Sequence, residues 1–246
     1  KIILGLMVLC SSIFAGEIIV AAAANVTYAL NKLVKEFNKT NPDTKVQIIL
    51  GSSGKLVSQI ENGAPFDIFM SADMKFPQAL FDKKITKTTP VIYAQGALAM
   101  LSSKELDYSK GINIVNDSSI SKIAIANPEH APYGEKAKQA LEKVELYKEI
   151  EKKLIFGENI SATTNMINIQ AVQIGITALS LALAPTNEGK DNYYLIDESL
   201  HEPLFQAYSI TKYAQNNKEA KEFYKFISSD KALKILKKYG FEVPNE

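Results

Sequence analysis

The chain contains no arginine and no tryptophan, one cysteine and two histidines. All 28 of its cations are lysines. Arginine is the side chain that grips a carboxylate or phosphate through two parallel hydrogen bonds. Its absence removes the usual clamp for an amino-acid carboxylate. Without tryptophan, sugar stacking and cation caging lose their best platform. Two histidines and one cysteine are too few for a convincing metal centre. One cysteine builds no disulfide framework. The formal charge is +1, with lysines and acids dispersed along the chain. That balance argues against a nucleic-acid partner.

The first residues set an expected compartment. Lys1 is followed by the apolar run Ile2–Leu9, then Cys10 and a short stretch ending at Ala15. A charged start, a short apolar core and a small final residue read as a cleavable signal peptide spanning residues 1–15. The run is too short to cross a membrane. Leu9 stands where a lipidated cysteine would need a small residue before it. Removing residues 1–15 leaves 231 residues, 27 lysines against 27 acids and no cysteine. A secreted chain without disulfides fits a bacterial periplasm.

Beyond the leader, strand and helix signals alternate. Short apolar runs at Ile18–Ala21, Val46–Leu50, Asp67–Met70, Ala97–Leu101, Ile123–Ala126, Ile174–Thr177, Tyr193–Ile196 and Phe205–Ile210 predict buried strands. Helical spacing predicts helices over Thr27–Asn38, Lys55–Asn62, Glu135–Val144, Lys218–Ile227 and Asp230–Tyr239. Residues Ser102–Asn116 and Pro185–Asn192 read as surface loops. The alternation implies α/β architecture, with helices on the faces of largely parallel sheets.

Four strand-to-helix junctions concentrate the chemistry. The first holds Asn25 and the second Ser53, within Gly51-Ser52-Ser53-Gly54. The third is Asn127-Pro128-Glu129-His130-Ala131-Pro132-Tyr133, and the fourth is Gly157-Glu158-Asn159-Ile160. Ligands of parallel α/β sheets bind at the carboxyl ends of strands. Helix N-termini there offer free N–H groups to an anion. Taken singly, each polar residue at a junction reads as a helix cap. Taken as a set behind a secretion signal, the junctions predict an anion receptor.

Catalytic readings are weaker. Ser52-Ser53-Gly54-Lys55 contains Ser-x-x-Lys, the opening motif of acylating penicillin-recognising enzymes, but the companion Ser-Asp-Asn is missing. The phosphate-loop pattern fails because Leu56 replaces its Ser or Thr. Asp67 and Asp73 frame a strand end and read as loop anchors. His130, between Pro128 and Pro132, reads as a loop-shaping residue.

Several segments together resemble the periplasmic molybdate-binding proteins of ABC importers. These are Ala21–Thr27, Gly51–Leu56, Gln59–Pro65, Asp67–Asp73, Asn127–Gly134 and Lys238–Phe241. They keep order and spacing from about Glu17 to Val243. The resemblance implies a two-lobed type II periplasmic binding protein fold, each lobe a mixed, mainly parallel sheet flanked by helices. Lobe one would comprise residues 16–95 and 206–246, and lobe two residues 96–205. Two hinge crossings would lie near Gln95 and Gln206. It further implies that Asn25, Ser53, Tyr133 and Ile160 hold molybdate, with tungstate a second ligand. The metal would be bound only as its oxyanion, without direct protein ligands or any cofactor. No reaction would be catalysed, and a monomer would hand the anion to a membrane permease. Some relatives add a tyrosine hydroxyl where this chain has Ala178, so that donor is missing. Sulfate or thiosulfate reception, a signalling sensor and the acyl-enzyme are the alternatives.

Overall fold

The computed structural model describes residues 16–187 and 193–244. The expected leader, residues 1–15, lies outside the described residues, as does part of the loop expected at 185–192.

Lobe one begins with β1 (Glu17–Ala23), a 3-10 turn (Ala24–Val26) and α1 (Thr27–Phe37). It continues through β2 (Lys45–Gly51), α2 (Ser53–Glu61), β3 (Ile68–Met70), α3 (Lys75–Asp82) and β4 (Val91–Gly96). The chain then enters lobe two with β5 (Leu98–Leu101), β6 (Ile123–Ala126), α4 (Pro132–Lys143), α5 (Tyr147–Ile150), β7 (Leu154–Gly157) and α6 (Ile160–Asn168). β8 (Ile174–Ala178), α7 (Leu179–Ala182) and β9 (Tyr193–Leu195) complete that lobe. β10 (Leu204–Ile210) returns to lobe one, followed by α8 (Lys218–Ile227) and α9 (Asp230–Lys238).

Each lobe holds a five-stranded mixed sheet, ordered β2-β1-β3-β10-β4 and β7-β6-β8-β5-β9. In both, four strands run the same way and one, β10 or β5, runs antiparallel to its two neighbours. The antiparallel strands follow from the crossings. β10 arrives from lobe two and inserts between β3 and β4, and β5 arrives from lobe one and inserts between β8 and β9. At the crossings the two chain segments run side by side, with Leu204 opposite Gly96 and Phe205 opposite Gln95.

Periodicity explains the helices. α1 buries Ala29, Leu30, Leu33 and Phe37 on one stripe against β1. α2 buries Leu56, Val57 and Ile60, and the chain turns away at Gly63, whose φ of +86° suits a residue without Cβ. α9 is capped by Ser229, which accepts from the Ala232 N–H.

Several features differ from the sequence expectation, among them the short helices α3, α5 and α7. Strands β4 and β7 are additional. β7 is an edge strand that buries only Leu154 and Gly157, leaving Ile155 and Phe156 exposed. The segment expected as a loop at Ser102–Asn116 contains a 3-10 stretch, Tyr108–Asn116, and buries Ile112, Ile114 and Val115 in the lobe-two core.

Candidate oxyanion site

Register brings the junctions together. β1 and β2 run parallel with Ala23 opposite Gly51, so the first and second junctions leave lobe one side by side. β6 and β7 run parallel with Ala126 opposite Gly157, so the third and fourth leave lobe two side by side. The two pairs meet across the cleft. Asn25, Ser53, Tyr133 and Ile160 line one small pocket of about 10 Å³, together with Ala23, Ala24 and Ala72. All four are at most 4% exposed.

The helices that point here are mostly uncapped. Ser52 and Ala131, the residues preceding α2 and α4, make no side-chain cap. Asn25 caps nothing either, and Ser53 sits inside the first turn of its helix. The capping reading therefore fails at the first two junctions and survives at the fourth, where Asn159 accepts from the Ala162 N–H. Even there the Ile160 N–H stays free. Among the described residues, the N–H groups of Asn25, Ser53, Tyr133 and Ile160 have no hydrogen-bond acceptor. Pro132 opens α4 without an N–H of its own, which makes Tyr133 the first donor of that helix. Each helix end adds roughly half a positive charge. No charged side chain lines the pocket.

Ser53 contributes a second donor. Its Oγ accepts from the Ala72 N–H at 3.0 Å, which leaves the hydroxyl proton to donate elsewhere. The Asn25 Nδ2 donates to Gln206 Oε1 at 2.9 Å, and Gln206 Nε2 donates to the Tyr133 hydroxyl at 2.9 Å. Burial raises the Tyr93 and Tyr133 phenols well above the ordinary tyrosine value, so both keep their protons. Ala178 is buried at the end of β8 and does not line the pocket.

The lobes are closed around this pocket. The Gly54 N–H donates to the His130 carbonyl at 2.9 Å. Ser161 Oγ donates to the Ala24 carbonyl and Ser180 Oγ to the Asn25 carbonyl, each at 2.9 Å. Lys55 pairs with Glu158 at 2.8 Å, and Ser52 Oγ bonds His130 Nδ1 at 2.9 Å. The lysine and serine of the Ser-x-x-Lys motif are thus engaged with different partners. His130 is a cross-cleft contact, a role its flanking prolines did not disclose. Asp67 and Asp73 are anchors: Asp67 accepts from the Ile19 N–H and from Asn217 Nδ2, and Asp73 from Ser71 Oγ and the Phe76 N–H.

Two modest effects follow. Lys55 and Glu158 are both solvated, so their pair is weak and screened by salt. Glu158→Gln is expected to lower anion affinity only a few-fold, an effect that titration in high salt should erase. His130 is held below the ordinary histidine value, first by burial and then by the Lys55 ammonium. The unfolded chain takes up this proton near pH 6.5, whereas the folded chain takes it up only at lower pH. The folded state therefore binds fewer protons in that window, and this stability is lost as pH falls through about 6.5 toward the lowered value. Melting curves from pH 7.5 to 5 should show this decline, flattened in His130→Asn.

Comparison with known proteins places this architecture. The chain is 30% identical to the molybdate-binding protein ModA of Haemophilus influenzae, with 92% of this chain and 90% of that one covered. It is 31% identical to ModA of Rhodobacter capsulatus, covering 92% and 88%. The periplasmic molybdate-binding protein of Azotobacter vinelandii superposes with a TM-score of 0.87 at 27% identity, over 93% of this chain and all of that one. The sequence pattern of the bacterial extracellular solute-binding proteins matches residues 18–242. With that match and these relatives, the chain belongs to the bacterial extracellular solute-binding protein family.

Proposed function

We propose that this protein captures molybdate, and tungstate with it, between its lobes and delivers it to an ABC importer. The observation that carries this reading is the convergence of four unbonded N–H groups and the Ser53 hydroxyl on a buried pocket without charged side chains. A tetrahedral dianion presents four acceptor oxygens and no proton, so it needs donors alone. Helix ends supply donors and favourable partial charge without a buried countercharge to desolvate. Hydrogen phosphate would bring a proton that needs an acceptor, and no carboxylate lines the pocket. Sulfate shares the charge and shape of molybdate, so size must separate them. Tungstate matches molybdate in all three respects. The names of the relatives support the molybdate assignment.

Binding and closure are one step in this mechanism. Lobe one offers Asn25 and Ser53, and lobe two offers Tyr133 and Ile160, so only the closed form satisfies all the anion's oxygens. The anion thereby shifts an open–closed equilibrium. The divisions near residues 95 and 206 act as the hinge, and residues 1–15 direct export to the periplasm. A monomer then presents the closed form to the permease.

The test is calorimetric titration of residues 16–246, stripped of ligand, with molybdate, tungstate, sulfate and phosphate at matched ionic strength. One-to-one binding of the first two, with far weaker binding of the others, is expected. No binding of molybdate would overturn the assignment.

A further inference from the structure

The backbone N–H of Asn25 is one end of a peptide unit whose other end is held from lobe two. The Ala24–Asn25 bond is trans, so the Ala24 carbonyl and the Asn25 N–H point in opposite directions from one rigid plane. Both residues line the pocket. Whatever grips the carbonyl therefore aims the N–H.

Three donors grip it. The Thr27 N–H closes the 3-10 turn on the Ala24 carbonyl, and Thr27 Oγ1 donates to it at 2.6 Å. Both belong to lobe one and hold the unit whether the cleft is open or shut. The third donor is Ser161 Oγ at 2.9 Å, from α6 of lobe two. A carbonyl only accepts, so the hydroxyl donates, and chemistry alone fixes the polarity of this bond. Ser161 directly follows Ile160 at the start of α6, a helix end fixed by the Asn159 cap. One helical turn of lobe two thus brings the Ile160 N–H to the pocket and reaches behind the Asn25 N–H as well.

The consequence is electrostatic. A hydrogen bond accepted by a carbonyl polarises its peptide unit and strengthens the donor at the far end. No charged side chain lines the pocket, so the direction and strength of its N–H groups govern how well an anion is held. Ser53, Tyr133 and Ile160 stand in the first turns of α-helices. Asn25 stands in a three-residue 3-10 turn, where its direction depends on what holds its own peptide unit. Ser180 provides a built-in comparison. Its Oγ donates to the Asn25 carbonyl, also across the cleft and also at 2.9 Å. That carbonyl shares its peptide unit with the Val26 N–H, and Val26 does not line the pocket. Both serines fasten the lobes, but only Ser161 stands behind a pocket donor.

We infer that Ser161 is a positioning residue: its hydroxyl, arriving from lobe two on closure, aims and strengthens the lobe-one Asn25 N–H toward the bound anion. This rests on the oxyanion reading of the pocket.

The test compares Ser161→Ala, Ser161→Thr and Ser180→Ala with the unmutated protein. Each is titrated with molybdate, and the amide proton signals of Asn25, Ser53, Tyr133 and Ile160 are recorded free and saturated. Ser161→Ala should weaken molybdate binding roughly two- to tenfold, the worth of one hydrogen bond. At saturation the downfield shift of the Asn25 proton on binding should shrink, while those of the other three donors stay whole. Ser161→Thr, which keeps the hydroxyl, should restore both. Ser180→Ala should weaken binding with the Asn25 binding shift intact. If Ser161 only fastens the lobes, Ser161→Ala will behave as Ser180→Ala does, and that result would overturn the proposal. Unchanged affinity in Ser161→Ala would overturn it too. In the unmutated protein, shifts of all four protons with sulfate but not molybdate would keep the role of Ser161 and overturn the molybdate reading. No response of the four to molybdate, tungstate or sulfate would overturn both.

Discussion

Ser53→Ala is expected to weaken molybdate binding by about 1.5–3 kcal/mol, the usual worth of a hydrogen bond to a charged group. The size follows from the site. Ser53 is fully buried, and its Oγ already accepts from the Ala72 N–H, so its proton is available to the anion. The alanine variant leaves the Ala72 N–H unpaired as well, a cost borne with and without ligand that lowers stability and does not add to the binding loss. Isothermal titration measures the affinity, and a melting curve without ligand isolates the cost at Ala72. Unchanged affinity would remove Ser53 from the site.

Gly54→Ala is expected to impair closure rather than folding. A Cβ on Gly54 would lie 2.9 Å from the His130 carbonyl oxygen and 3.0 Å from the His130 Cβ. The first of these is backbone and cannot swing aside. The clash joins opposite lobes, so it exists only when the cleft is shut. Overpacking of this kind costs about 1–3 kcal/mol, and here it opposes only the closed form. Molybdate affinity should fall by roughly five- to 150-fold. Melting of the ligand-free protein should change little. An equal loss of stability and affinity would mean that the contact supports the fold rather than the closure.

The sequence carried much of this site because its donors sit at strand ends. Asn25, Ser53, Tyr133 and Ile160 each follow an apolar run and open a helical one, a pattern legible without coordinates. Parallel register then does the rest, aligning Ala23 with Gly51 and Ala126 with Gly157. Gln206 was legible only as a hinge position. It lies 181 residues from Asn25, and its direction depends on a bulge that no local pattern encodes. Gly54 is crowded by His130 of the other lobe and Gly96 by the Tyr133 hydroxyl and Gln206 Nε2, contacts that no local pattern encodes. The two serines and the asparagine looked like caps because composition does not say which way a hydroxyl or an amide turns. In the fold Ser52 turns to His130, Ser53 to Ala72 and Asn25 to Gln206.

The most direct test of the central claim is a crystal structure of the molybdate complex with anomalous scattering recorded at the molybdenum edge. A single peak is predicted inside the pocket, with oxygens within hydrogen-bond distance of the Asn25, Ser53, Tyr133 and Ile160 N–H groups and of Ser53 Oγ. A peak outside the interlobe pocket, or an anion held there by lysine side chains instead of these donors, would contradict it.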